Sequence, residues 1–145
     1  MEERFTPKMS VDYSLRLRGM SLDELGLAPV VVITWMPRVA RALTETTGAQ
    51  LAQKWFYSQL YPLYTGEVAG KRVSFSLMPI GAPATITIME EMIACGVRTF
   101  IGLGQAGSLQ PASPVGSSII PTSCIREEGT RSVMDDGCPL PGVGQ

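Results

Sequence analysis

The stretch from Gly96 to Pro111, GVRTFIGLGQAGSLQP, constrains the fold of this chain more than any other. Thr99 to Leu103 is an apolar run of strand length that feeds directly into a glycine-rich turn, Gly104-Gln105-Ala106-Gly107-Ser108. Such a run, without polar alternation, predicts a buried strand. A helix-like segment, Pro83 to Cys95, precedes it; a loop rich in Pro and Ser and a second apolar run, Ser118 to Ile125, follow. Helix, strand, loop and strand in that order is the rhythm of an open α/β sheet, in which ligands sit beyond the carboxyl ends of the strands. The turn at Gly104 to Ser108 is therefore the first place to expect a site, because its successive backbone N–H groups can face an anion. Its spacing is neither a Walker loop nor GxGxxG, so a dinucleotide reading fails. A tight turn chosen for close packing accounts for the glycines equally well.

The chain before it supplies the rest of such a sheet. Ala28 to Thr34, APVVVIT, predicts a strand buried on both faces of a parallel or mixed sheet. Met36 to Thr47 reads as a helix, with Pro37 in its first turn, Val39, Ala42 and Leu43 as the apolar stripe and Gly48 as the stop. Arg38 falls near the amino end of that helix, where the dipole disfavours a cation. A bound anion explains the choice, and an ordinary surface arginine is the alternative. Leu51 to Ser58 and Leu60 to Val68 are strand-like and aromatic. Ala69 to Arg72 makes a hairpin turn, and Arg72 to Met78 returns with Val73, Phe75 and Leu77 on one face. The aromatic residues Trp55, Phe56, Tyr57, Tyr61 and Tyr64 read as core or subunit interface. In the next helix Ile86, Ile88, Met89, Met92 and Ile93 form the apolar face, with Glu90 and Glu91 expected in solvent. Ser117 to Ile125 is expected as a strand with Pro121 at an edge or bulge.

Three segments follow. Residues 1–27 form a weakly specified arm, ordered against a partner subunit, with Ser21 to Leu27 as a short helix capped by Ser21 and Glu24. Residues 28–131 form the core, and residues 132–145 a poorly ordered tail. A length of 145 residues is one domain's worth of core, and 45% hydrophobic against 17% charged residues is globular composition. Twelve basic and thirteen acidic residues give a net charge of -1, with no basic block for nucleic acid. No apolar run reaches the ~18 residues of a membrane span, and MEERFTPK is no secretory signal. The expected location is cytoplasmic. The chain has no histidine, which removes the common general base and the Ser-His-Asp arrangement. Cys95, Cys124 and Cys138 form no CxxC pair, so neither a disulfide framework nor a zinc site is expected.

At four ordered blocks the sequence resembles the nucleoside phosphorylase superfamily, in its uridine and purine nucleoside phosphorylase branch. Thr34 to Val39, TWMPRV, falls where that family has GDPxRV. Tyr64 to Ala84, YTGEVAGKRVSFSLMPIGAPA, falls where it has YTGxYxGxxVxVxxxGxGxPS. Val97 to Thr130 covers the strand and glycine turn, a PxxxxVGD-like stretch and RxEGxS. Glu24 to Leu27, ELGL, is similar to the family's early HLGL.

The resemblance implies an α/β three-layer sandwich around a mixed, partly barrel-like central sheet, of which this chain matches the amino-terminal half. It implies a homo-oligomer, and reversible phosphorolysis of the N-glycosidic bond of a nucleoside, with phosphate as co-substrate and no metal or organic cofactor. By the same resemblance Arg38, Thr34 and Gln105 are the phosphate-binding positions, and Ala106 and Gly107 line the ribose and base pocket. No catalytic residue is assigned. The family's glycine and aspartate of the first loop are Thr34 and Trp35 here; its arginine at the end of the central strand is Gly102. Its Thr/Ser on phosphate is Gln105, its neighbour-donated arginine is Gln59, and its early histidine is Glu24. Each charge-assisted hydrogen bond lost with an arginine is worth roughly 1.5–3 kcal/mol. A neutral-pocket binding or scaffold module and a nucleoside hydrolase are the alternatives on the same fold.

Overall fold

The computed structural model of the protein describes residues 5–123. The chain divides into two compact units, Met1–Gly104 and Gln105–Gln145. All described helices and strands lie in the first: α1 (Pro7–Arg18), a short 3-10 helix (Leu22–Leu25), β1 (Val30–Thr34), α2 (Pro37–Thr47), β2 (Gln50–Leu51), β3 (Leu63–Val68), β4 (Lys71–Leu77), α3 (Ala82–Ala94) and β5 (Thr99–Leu103).

The five strands form one sheet in the order β2-β3-β4-β1-β5. β1 runs parallel to both neighbours, with Thr34 beside Leu77 on one side and Leu103 on the other. β3 pairs antiparallel with β2 and β4, so the sheet is mixed. The β-branched run of β1 is therefore central, as its lack of polar alternation predicts. Among the described residues the sheet is not closed, with β2 and β5 at its edges.

The crossover from β1 through α2 leads past β4 and β3 to β2, and the one from β4 through α3 leads back past β1 to β5. Right-handed crossovers in opposite directions place α2 and α3 on opposite faces, which makes three layers. Val31 and Ile33 of β1 pack with Ile88 and Met92 of α3 and with Trp55, Leu63, Met78 and Val97 in the main core. The tight β3–β4 hairpin turns on Ala69 and Gly70, both at positive φ. Behind it a chain of hydroxyls ties the segment before β1 to the sheet. The Ala28 amide donates to Ser74 Oγ at 2.9 Å, Ser74 lies 2.7 Å from Thr65 Oγ1, and Thr65 donates to the Gly26 carbonyl at 2.7 Å.

Four expectations change. The arm carries α1, a regular helix that Thr6 caps by accepting from the Met9 amide at 3.2 Å and that Gly19 ends in the left-handed region. Its buried side is narrow: Val11 and Leu15 join Leu25 in a second small core. Leu51 to Ser58 is not a strand beyond Leu51. Successive turns, with the Trp55 amide on the Ala52 carbonyl and the Ser58 amide on the Trp55 carbonyl, let Trp55 bury its ring completely. Among the described residues the Thr99–Leu103 strand is an edge strand with mostly exposed residues, not a buried one. Glu91 is buried rather than solvated, because its carboxylate accepts from Ser10 Oγ at 2.8 Å and from the Tyr57 hydroxyl at 2.7 Å.

The described part of the second unit, 105–123, is irregular chain with turns at Gln110–Ser113 and Pro114–Ser117. The strand expected from Ser117 is absent as far as Ser123; Cys124, Ile125, Cys138 and the tail expected over 132–145 lie outside the described residues.

Candidate functional site

Parallel pairing brings three carboxyl ends into one row: Thr34 of β1, Leu77 of β4 and Leu103 of β5. From β1 the chain leaves to α2 and from β4 to α3, on opposite faces. That divergence opens a crevice between β1 and β4, which is where open α/β sheets bind ligands. The loops that border it are Trp35-Met36, Met78 to Gly81 and, beside β1, the exit of β5 at Gly104.

Thr34 is completely buried at the base of this row. Its hydroxyl accepts from the Met36 amide at 3.3 Å and its carbonyl accepts from the Met78 amide at 2.8 Å, so it fixes both loops. Met36 takes the N-cap position of α2 without a side-chain cap, and Pro37 fills the first helical position. Arg38 comes next, exposed, in the first turn. Two ion pairs occur among the described residues, Lys8–Asp12 and Lys54–Glu24, and Arg38 is in neither. Pro37 has no N–H and the Val39 amide donates to the Met36 carbonyl at 3.0 Å, so the Arg38 N–H and a guanidinium unpaired among the described residues are what favour an oxyanion here.

Trp35 covers the α3 side. Its indole N–H donates to Thr85 Oγ1 at 3.1 Å, and Thr85 Oγ1 donates to the Pro79 carbonyl at 2.8 Å. Its ring lies over Gly102: a Cβ built there would be 3.9 Å from Trp35 Cη2. Sequence patterns alone do not reveal Trp35, Thr85 and the Met78–Gly81 turn as parts of one place. The signal was the PIGAP turn at a strand's carboxyl end, which acquires meaning only once β4 is known to lie beside β1.

Thr34 and Arg38 therefore share one loop and the helix it starts. Gln105, Ala106 and Gly107 are exposed residues at the start of the second unit. Resemblance, not geometry, links them to Arg38. Gln59 is exposed in the turns before β3. Glu24 is committed elsewhere: Lys54 pairs with it, and it accepts from the Ser21 amide at 2.8 Å. Those bonds, Lys54 first, hold its carboxyl well down at about 2. Far from the crevice, burial and then the hydrogen bond to Glu91 push the Tyr57 phenol up. Burial, then the charges of Glu91 and Asp12, push the Cys95 thiol up to about 12. Neither group is an activated nucleophile. Among the described residues no three His, Cys, Asp or Glu side chains could hold a metal ion together, and no helix is long and apolar enough to cross a membrane.

Comparison with known proteins agrees with this architecture. Uridine phosphorylase from Thermococcus kodakarensis is 39% identical over 70 residues, 48% of this chain and 25% of that protein. Uridine phosphorylase from Treponema pallidum is 39% identical over 74 residues, 51% of this chain and 29% of that protein. The matched stretches thus span under a third of these curated relatives. In a solved structure of uridine phosphorylase from Vibrio fischeri ES114 the fold matches with a TM-score of 0.54 over 69% of this chain and 38% of that one, at 24% identity. A complex of that enzyme with 6-hydroxy-1-naphthoic acid matches with a TM-score of 0.51 over 58% of this chain and 34% of that one, at 26% identity. The family model described as the phosphorylase superfamily matches residues 29–144, and the chain belongs to that superfamily.

Proposed function

We propose that this chain binds a nucleoside and phosphate at the carboxyl ends of β1 and β4 and takes part in phosphorolysis of the N-glycosidic bond. The observation that carries this is Arg38: an exposed arginine outside any ion pair among the described residues, in an uncapped first helical turn, beside the crevice of a phosphorylase-superfamily fold. In this role the guanidinium holds phosphate by charge-assisted hydrogen bonds while a phosphate oxygen attacks the anomeric carbon and the base departs. Thr34 acts from beneath by fixing the loop. By resemblance, Gln105 adds a neutral contact to phosphate, and Ala106 and Gly107 face the nucleoside. The chain works as a homo-oligomer in the cytoplasm, and no metal or organic cofactor takes part.

Calorimetric titration with uridine and with inosine, each with and without phosphate, tests this. The expected result is nucleoside binding that phosphate strengthens, and loss of that strengthening in Arg38→Ala. Binding indifferent to phosphate would instead favour a neutral-pocket binding module, the alternative that the uncharged Gly102 position supports. Sedimentation of the same sample tests the oligomer.

A further inference from the structure

We infer that the outer face of α1 is a contact between two copies of this chain, paired antiparallel about a two-fold axis with Met9 of each copy against Tyr13 of the other. This names a contact of the homo-oligomer proposed above and rests on that part of the proposal alone.

The inner side of α1 is already used. Val11 and Leu15 pack with Leu25, and Ser10 donates to Glu91. The outer side carries Met9, Tyr13 and Leu17 at 50%, 57% and 72% exposure, with Phe5 at 71% just before the helix. Residues four apart lie along one ridge of a helix, so these side chains make one apolar stripe. Single exposed apolar residues are ordinary on a protein surface, whereas a contiguous row marks an interaction surface. The stripe lies outside the residues that the superfamily model matches, which begin at 29.

Charge and spacing select a second copy as the occupant. The last turn of α1 is basic, with Arg16 and Arg18, and its first turn holds no acidic residue. Parallel copies would set Arg16 and Arg18 beside their counterparts. Antiparallel copies set them beside the start of the other helix, which follows Glu2 and Glu3 in the sequence. At the border of the stripe Lys8 pairs with Asp12, and the Arg16 guanidinium lies 5.9 Å from the centre of the Tyr13 ring. A two-fold axis midway between Met9 and Tyr13 makes the stripe complementary to itself. The Met9 thioether then meets the Tyr13 ring, and Phe5 meets Leu17 at either end. Ridges of every fourth residue pack on one another at a crossing angle of about −50°, so Met9 and Tyr13 at the centre carry most of the contact. A helix lying on an anionic membrane needs a polar face rich in Lys and Arg. Residues 1–18 instead hold four basic residues (Arg4, Lys8, Arg16, Arg18) against three acidic ones (Glu2, Glu3, Asp12), and the side opposite the stripe is in the small core. Four side chains bury less than the ~800 Å² per partner of a standard interface, so this contact is weak and depends on concentration.

Sedimentation equilibrium of the full chain between about 1 and 100 μM tests this. The wild type is expected to gain mass with concentration. Met9→Lys and Tyr13→Glu, each alone, should weaken that association about tenfold or more, because each buries a charge against an apolar partner. Both positions are exposed, so circular dichroism and Tm should stay at the wild-type values. Mixed in equal amounts, the two variants should associate again, since the antiparallel pairing sets the new lysine against the new glutamate. The inference is overturned if either variant sediments as the wild type does, a result that leaves the homo-oligomer standing on another contact. It is overturned equally if the two variants stay apart on mixing, because the pairing of position 9 with position 13 is then wrong. A wild-type chain that is monomeric throughout overturns the homo-oligomer and this contact together, whether or not it binds vesicles containing phosphatidylserine. Nucleoside binding, read separately by calorimetry, is untouched by any of these outcomes.

Discussion

Glu24 shows how one side chain anchors a segment. It accepts from the Ser21 amide at 2.8 Å and from Ser21 Oγ at 3.2 Å, and it pairs with Lys54 across the molecule. Its carboxyl is held at about 2 against an ordinary 4.5, so the folded chain binds its proton less readily than the unfolded chain does. That contribution is complete above the ordinary value and disappears as pH falls toward about 2. Thermal melts at about pH 6 and about pH 3 should therefore show a smaller acid-induced loss of Tm in Lys54→Met than in the wild type. Gly66 is a steric case. A Cβ there would meet Ala49 Cα and Cβ at 3.0 Å, both rigid, so Gly66→Ala should cost about 1–3 kcal/mol, read by denaturant unfolding. The Ser21–Glu24 spacing is visible in the sequence because a capping box is local. Lys54 as partner to Glu24, Ala49 against Gly66 and Trp35 over Gly102 are not visible, because sheet register and tertiary packing bring them together.

The elements divide in the same way. β1 and the β3–β4 hairpin read correctly because β-branched runs and a two-residue turn are local signals. α1 was hidden by its own outer face. Phe5, Met9, Tyr13 and Leu17 recur every fourth residue and are all exposed, whereas only Val11 and Leu15 point inward. Apolar residues on both sides of a helix erase the amphipathic pattern. Glu91 was misread for a related reason: a carboxylate opposite the main core still faces a second layer when α1 packs there. It joins α3 to α1 through Ser10 and to the β2–β3 connection through Tyr57. Glu91→Ala leaves two part-buried hydroxyls without their acceptor and should cost about 1–3 kcal/mol. Glu91→Gln, which keeps an acceptor, should recover part of this. Hydrogen exchange locates the effect: the α1 amides should lose protection first, since α1 otherwise rests on a core of few side chains.

For the whole molecule, both cores and every described element lie before Gln105. The order β1, α2, β3, β4, α3 and β5 is legible in the sequence, but the placement of β4 between β3 and β1 and of β5 at the edge is not. For that reason the β1–β4 crevice escaped notice while the glycine turn after β5 drew it. This division predicts that fold and ligand recognition separate. A chain ending at Gly104 keeps its sheet, helices and both cores, so its far-UV circular dichroism should show the same elements and its Tm should fall by no more than about 5 °C. It should lose nucleoside affinity by about tenfold or more, because the proposed function puts Ala106 and Gly107 on the nucleoside. Retention of full nucleoside affinity would place recognition on Trp35 and the β1–β4 loops alone. Collapse of the fold would show that the sheet needs the second unit, whose sequence continues from the open edge strand.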